Sequence, residues 1–350
     1  MNKLTKVGLS ALCGSLAAVS SANAGEMSVS GSATATYQSS AGENTGNPIG
    51  MNSGLTFSGS GELDGGQTFT YTITNADQAA FSAGSMSLTT NMLGTFRIGA
   101  IDGASGIDSK DDVMPTAWEE VDGTGMTVGQ DKISGVGASM NVNWKSPKLL
   151  GSTLTLAYAP QNTGGMVNDK SSTGTTSRYQ YGYDILLDMN VDNAFYMPNV
   201  FIGGSQTHQE GDYQPASMGR SAIQYDDKYE AVAGFVWKIG PLSAGLQRSF
   251  EHPGLRADGS TEYYANTAFG VSFNVNDNLS VSYGLVESEQ NFVNPNDSEA
   301  VTMEVESYQI AYTMGGASIR LAEIQADNIQ YSTAAIDDRD ATVLSVSLAF

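Results

Sequence analysis

Runs in which apolar and polar residues alternate one for one recur along nearly the whole chain, and no long apolar block interrupts them. That period belongs to a β-strand, whose successive side chains point to opposite faces. A chain built this way is all-β, with one face of each strand in an apolar medium and the other in a polar one. The last run is the clearest: Leu344, Val346, Leu348 and Phe350 alternate with Val343, Ser345, Ser347 and Ala349. Upstream, Tyr308, Ile310 and Tyr312 alternate with Ser307, Gln309, Ala311 and Thr313, and Val281, Tyr283 and Leu285 with Ser280, Ser282 and Gly284. Near the start, Phe69, Tyr71 and Ile73 are interleaved with Thr68, Thr70, Thr72 and Thr74.

Sixteen such segments can be marked, over 26–37, 51–63, 67–74, 82–90, 94–101, 131–145, 152–159, 178–189, 199–208, 226–239, 241–251, 262–274, 279–289, 302–314, 317–328 and 340–350. Neighbouring counts of 14 or 18 stay open. Short and long connections mostly alternate. The short ones carry turn residues: Asp64-Gly65-Gly66, Gly240-Pro241, Asn276-Asp277-Asn278 and Gly315-Gly316. The longest runs from Asp102 to Gln130. A β-solenoid would show one fixed repeat, and none is present. A sandwich would carry fewer polar residues on its inner faces.

Only 15% of residues are charged, against about 25% in ordinary soluble domains. No stretch approaches the roughly 18 apolar residues of a helical span. A chain poor in charge but without such runs suits a 16-stranded antiparallel transmembrane β-barrel, apolar outside and polar within. Acidic residues number 37 against 16 basic, for a net charge of −21, which argues against a nucleic-acid partner.

The first 24 residues read as an export signal, leaving 25–350 as one barrel domain. Lys3 and Lys6 precede a short apolar run from Val7 to Val19, and Ala22-Asn23-Ala24 forms a small-x-small cleavage site. The single cysteine, Cys13, lies inside this leader, so disulfides and thiol chemistry are not expected. Enzymatic chemistry is not expected either: the only histidines, His208 and His252, fall near strand ends without a nucleophile motif. No cofactor is called for. Ca²⁺ is conceivable at Asp337-Asp338-Arg339-Asp340, at Asn296-Asp297-Ser298-Glu299 or in the acidic connection, though plain surface carboxylates explain each cluster as well.

The leader, the terminal strand ending at Phe350, the stretch Gly94-Thr-Phe-Arg-Ile-Gly-Ala-Ile-Asp-Gly and the following Val113-Met-Pro-Thr-Ala-Trp-Glu-Glu together resemble the general trimeric porins of Gram-negative bacteria, particularly the alphaproteobacterial type. The resemblance implies an outer-membrane channel for passive diffusion of small hydrophilic solutes and ions. It implies that the long third loop folds into the pore, bringing Asp102, Asp108, Asp111, Asp112, Glu119, Glu120 and Asp122 to its constriction. The strand parity of Arg97, Arg178 and Arg320 makes them candidates for a basic wall opposite. Basic residues are few, so cation preference is expected. The alternatives are a solvated outer loop for the acidic residues and rim charges for Arg178 and Arg320. Phe350 is expected to be the signal read by the barrel assembly machinery, and a homotrimer is implied, compatible with the small outward residues Gly31, Ala33 and Ala35. Outer-membrane lipid and lipopolysaccharide are the expected surroundings. A substrate-specific channel and a non-conducting structural or adhesive barrel remain the alternatives.

Overall fold

The computed structural model describes residues 26–41, 46–77, 83–100, 106–123, 126–162, 178–190, 197–210, 212–213, 223–257, 259–294 and 299–350. The expected leader and Asn296-Asp297-Ser298 lie outside them.

Sixteen strands close into one antiparallel barrel. They are β1 (Glu26–Ala41), β2 (Ile49–Glu62), β3 (Thr68–Ala76), β4 (Ala83–Thr90), β5 (Gly94–Ala100), β6 (Asn141–Lys145), β7 (Ser152–Ala159), β8 (Tyr179–Met189) and β9 (Asn199–Gln209), then β12 (Lys228–Ile239), β13 (Leu242–His252), β14 (Thr261–Asn274), β15 (Leu279–Phe292), β16 (Val301–Met314), β17 (Ala317–Asp327) and β18 (Arg339–Ala349). A separate two-residue hairpin, β10 (Asp212–Tyr213) with β11 (Ile223–Gln224), sits in the connection between β9 and β12. Closure is made by β1 against β18, from Ser32 opposite Ala349 to Ala41 opposite Asp340. It leaves no open edge, which a sheet in hydrocarbon requires because no water is there to satisfy unpaired backbone groups.

Phe350 completes the seam. Its N–H donates to the Gly31 carbonyl at 2.9 Å and its carbonyl accepts from the Gly31 N–H at 2.7 Å. Gly31 carries no side chain where the Phe350 ring and Leu55 lie; a Cβ there would come within 2.7 Å of the ring.

The alternation of each strand sorts into an exposed apolar face and a buried, mostly polar one. On β12, Ala231, Ala233, Phe235 and Trp237 are exposed, while Glu230 and Val232 are buried. On β18, Leu344, Val346 and Leu348 are exposed and Ser345 and Ser347 buried. The polarity reverses in the long-connection half of β16 and β17. There Met303, Val305, Ala322, Ile324 and Ala326 are buried, packed with Val121, Met126, Val128 and Ile329 from connecting segments. Glu304, Glu306, Glu323 and Asp327 share the opposite face. Each fully buried aliphatic chain contributes about 1.5–3 kcal/mol, so this cluster fixes the connecting segments to that wall.

The sixth strand is shorter than the sequence pattern predicts. Residues 131–140 alternate in sequence but leave the sheet, and only Asn141–Lys145 pair. Ser134 and Gly135 turn their N–H groups to Glu230 at 2.7 and 3.0 Å. Gly135 adopts φ 50°, a conformation that suits glycine. The apolar member of the pattern, Val136, is fully buried beside Ala157 and Ala159 rather than exposed. The third long connection therefore runs on to Met140 before β6 begins at Asn141.

Candidate functional site

Segment 106–139 is held by the buried faces of strands on widely separated parts of the barrel. It opens with a short 3-10 turn, Gly106–Lys110. Asp184 on β8 accepts from the Ile107 and Val136 N–H groups, each at 3.2 Å, and so ties the two ends of the segment together. Glu230 on β12 takes the next two amides, as above. Farther along, the Ala117 N–H donates to Ser282 Oγ on β15 at 2.8 Å. Gln309 on β16 receives the Trp118 and Glu119 N–H groups at 3.0 and 3.2 Å and donates to the Glu119 carbonyl at 2.8 Å. Asn266 on β14 donates to the Asp131 carbonyl at 2.9 Å.

Between these contacts lies a shelf of glycines. Gly245, Gly270 and Gly284 stand opposite one another across β13, β14 and β15. A Cβ on Gly245 would fall 2.9 Å from Pro115 Cδ, one on Gly270 would fall 2.7 Å from the Pro115 carbonyl oxygen, and one on Gly284 would strike Val121. Side chains at these positions would push the segment off the wall.

The expected acidic residues gather on this segment, with one exception: Asp102 lies outside the described residues. Asp108 is buried in the 3-10 turn, where its field acts on Arg97. Asp111, Asp112, Glu120 and Asp122 line one cavity with Lys132, Gln247 and Asn266. Lys132, which the sequence reading did not single out, neutralises part of this group. Its Nζ lies 2.5 Å from Asp112 and 2.8 Å from Asp122. Burial works against the Lys132 charge, but the two carboxylates outweigh it and raise its pKa. Asp112 is itself pushed up by burial, with Lys132 opposing. Glu119 is pushed up to about 8, by burial first and then by its hydrogen bond to Glu120 and the charge there. Burial also acts upward on Glu120, but its bonds to Glu119 and to backbone hold it low. One proton is thus shared unequally by neighbouring carboxyls.

The three arginines lie at three separate places along the strand order. Arg97 lies on β5. Arg320 lies on β17 with its guanidinium 5.9 Å from the Trp118 ring centre, next to the acidic pair. Arg178 sits at the long-connection end of β8, between the rings of Tyr179 and Tyr225 at 4.6 and 4.7 Å, and donates to the Tyr179 hydroxyl. Among the Ca²⁺ candidates, Asp337 pairs with Arg339 and Asp338 accepts from the Asn328 N–H. Among the described residues no three acidic or histidine side chains converge on a metal-sized point. His208 stacks on Tyr181 and meets Asp227 at 2.8 Å.

The family model for Gram-negative porins matches residues 8–196, more than half of the chain. The chain belongs to the Gram-negative porins. It is an outer-membrane β-barrel, a channel protein rather than an enzyme by family and fold. No curated protein matches this porin in sequence. Solved structures match it in fold. OmpF of Salmonella typhi, in complex with daunomycin, has TM-score 0.67 and 11% identity, covering 94% of this chain and 98% of that one. The anion-selective porin from Comamonas acidovorans has TM-score 0.63 and 14% identity, covering 93% and 100%. The trimer form of Vibrio cholerae OmpT, an outer-membrane protein, has TM-score 0.63 and 11% identity, covering 93% and 100%. In a porin the short turns face the periplasm and the long connections face outward.

Proposed function

We propose that this porin passes small hydrophilic solutes and ions by diffusion, prefers cations, and is narrowed by segment 106–139 lying across its lumen. The observation that carries the reading is the set of bonds from that one segment to Asp184 and Glu230 on one side and to Ser282 and Gln309 on another. A segment fixed to those separate strands through their polar faces crosses the interior and sets its smallest opening. Fixed charges at such an opening select ions. Its carboxylates, Asp108, Asp111, Asp112, Glu119, Glu120, Asp122 and Asp131, outnumber its cations, Lys110 and Lys132; from the wall, Arg320 reaches over at Trp118, Arg97 feels Asp108 and the Lys228 Nζ lies 3.4 Å from Ser134 Oγ. A homotrimer in the outer membrane is part of the same reading. It is supported by the trimer form of the Vibrio cholerae protein and by the exposed apolar faces of β1 and β2, including Val29, Met51, Leu55 and Phe57. Contact with lipopolysaccharide and insertion by the barrel assembly machinery through Phe350 complete it.

The test is conductance and reversal potential of refolded protein in planar bilayers across a KCl gradient. Large ohmic steps with a reversal potential on the cation side are expected. Folded protein without conductance would reject the open channel and favour a structural barrel; a reversal potential on the anion side would reject the acidic constriction.

A further inference from the structure

The lumen does not keep one sign of charge along its length. Below the acidic segment, at the periplasmic end, a cavity of about 530 Å³ is lined by Lys110, Lys145 and Lys148. The residues around it place it there: Asp188 and Met189 end β8, Asn199 begins β9, and Lys148 lies in the turn between β6 and β7. Lys145 shares the inward face of β6 with the buried Asn141 and Asn143. On β12, Val236 lines the same cavity. Lys238, two residues farther toward the periplasm, has the same parity and is exposed.

Three lysines in a chain with 16 basic residues and a net charge of −21 therefore line one cavity, Lys110 from the long connection and Lys145 and Lys148 from β6 and the turn after it, with Lys238 on the same face of β12 as the lining Val236. One carboxylate, Asp188, lines the cavity, and it is engaged by Lys110 at 2.6 Å. Among the described residues, the other strand carboxylates with inward parity at this end, Glu26 and Glu62, lie on β1 and β2, across from the lysine-lined cavity by strand order. Lysine ammonium groups are compact point charges that suit phosphate oxygens without demanding a fixed fork geometry. A cavity of this size admits a small solute with room for water.

We propose that this periplasmic vestibule is a binding subsite for small multivalent anions of the phosphate type, with Lys110, Lys145 and Lys148 as its contacts and Lys238 at its lip. The site rests on the channel reading only for access; the binding itself does not need conduction. A cation-preferring constriction above and an anion site below would make the pore asymmetric, holding a polyanion on the periplasmic side and slowing its passage outward.

The test uses inorganic pyrophosphate as probe and refolded full mature protein. Phosphorus NMR line broadening in detergent reads binding, and current block in bilayers, with probe added to one side, reads position. Saturable broadening is expected, with block from the periplasmic side only. Each of K145Q and K148Q should weaken both about two- to fivefold, and R256Q, at the opposite end beside Asp226, should change neither. No broadening with folded protein, or equal loss in R256Q and K145Q, would overturn the proposal. Saturable broadening from protein that conducts no KCl would uphold the subsite while rejecting the channel; KCl conductance without pyrophosphate binding would do the reverse.

Discussion

The Trp118 N–H donates to Gln309 Oε1 at 3.0 Å, joining residues 191 positions apart and fixing the middle of the long connection to β16. Gln309 is buried and uses both ends of its amide on the segment, accepting from Trp118 and Glu119 and donating to the Glu119 carbonyl. Gln309→Leu keeps the volume but leaves these groups without partners. Each buried orphan costs about 1–3 kcal/mol. The expected outcome is a lower unfolding midpoint and noisier single-channel current, because the segment is freed in its middle while Asp184 and Glu230 still hold its ends. Unchanged current noise would show that the segment does not set the opening.

The glycine shelf gives a second handle on the same segment. Gly270→Ala puts a methyl 2.7 Å from the Pro115 carbonyl oxygen, closer than real contacts allow. The backbone of the segment must move, at a cost of about 1–3 kcal/mol. Conductance should change while the barrel remains folded by circular dichroism. Unaltered conductance and midpoint together would show that Pro115 yields freely.

Lys132 sets how much of the acidic charge is felt. Lys132→Met removes the cation from between Asp112 and Asp122 and keeps the side-chain length. The K⁺ to Cl⁻ permeability ratio should rise about two- to threefold, the scale of one screened charge at short range. A ratio that stays fixed would place this cluster off the ion path.

A constriction carrying the acidic pair should be pH-sensitive. Glu119 titrates near 8 because burial and Glu120 oppose its charge. A carboxyl whose folded pKa is raised holds its proton longer in the folded state than in the unfolded one. Stability therefore falls as pH rises from the ordinary glutamate range to about 8, and is level above that. Over the same window the constriction gains a negative charge, so cation selectivity should increase. Glu119→Gln should flatten both profiles between pH 6 and 9, as read by reversal potential and thermal midpoint. Profiles that keep their slope in this variant would assign the proton elsewhere.

Much of the barrel is legible in the sequence because a strand between two media must alternate, and fifteen of the sixteen strand positions overlap their predicted spans nearly end to end. The exception shows what alternation cannot tell. Val136 and its neighbours carry the right period but pack inward on Ala157 and Ala159, and the bonds that distinguish them from a strand, from Ser134 and Gly135 to Glu230 and from Val136 to Asp184, are made to residues far away in sequence. Period also carries no sign. Met303 and Val305 alternate with Glu304 and Glu306 as regularly as Ile310 does with Gln309, yet the first set turns its apolar side inward. The acidic segment could be located from its charge and length. Lys132 could not, because it lay in a stretch that reads as strand, and the shelf of Gly245, Gly270 and Gly284 exists only once the register of three strands is known.

The reversed face carries the last prediction. Glu287 on β15 stands directly opposite Glu304 on β16, and Glu304 opposite Asp327 on β17, all on the outer side of the wall. Facing like charges destabilise a sheet, by about 0.2–1 kcal/mol for a direct cross-strand pair. Hydrocarbon would make the arrangement far costlier, so these rows lie at or above the outer headgroup level, and the apolar band on β15 and β16 is the stretch from Val281 to Leu285 and from Tyr308 to Tyr312. Glu304→Gln removes the central charge of the row while keeping its shape. The unfolding midpoint should rise slightly at low ionic strength, and the gain should shrink as salt screens the repulsion. A gain that persists undiminished at high salt would mean that the residue faces lipid rather than water, since screening cannot reach a charge in hydrocarbon.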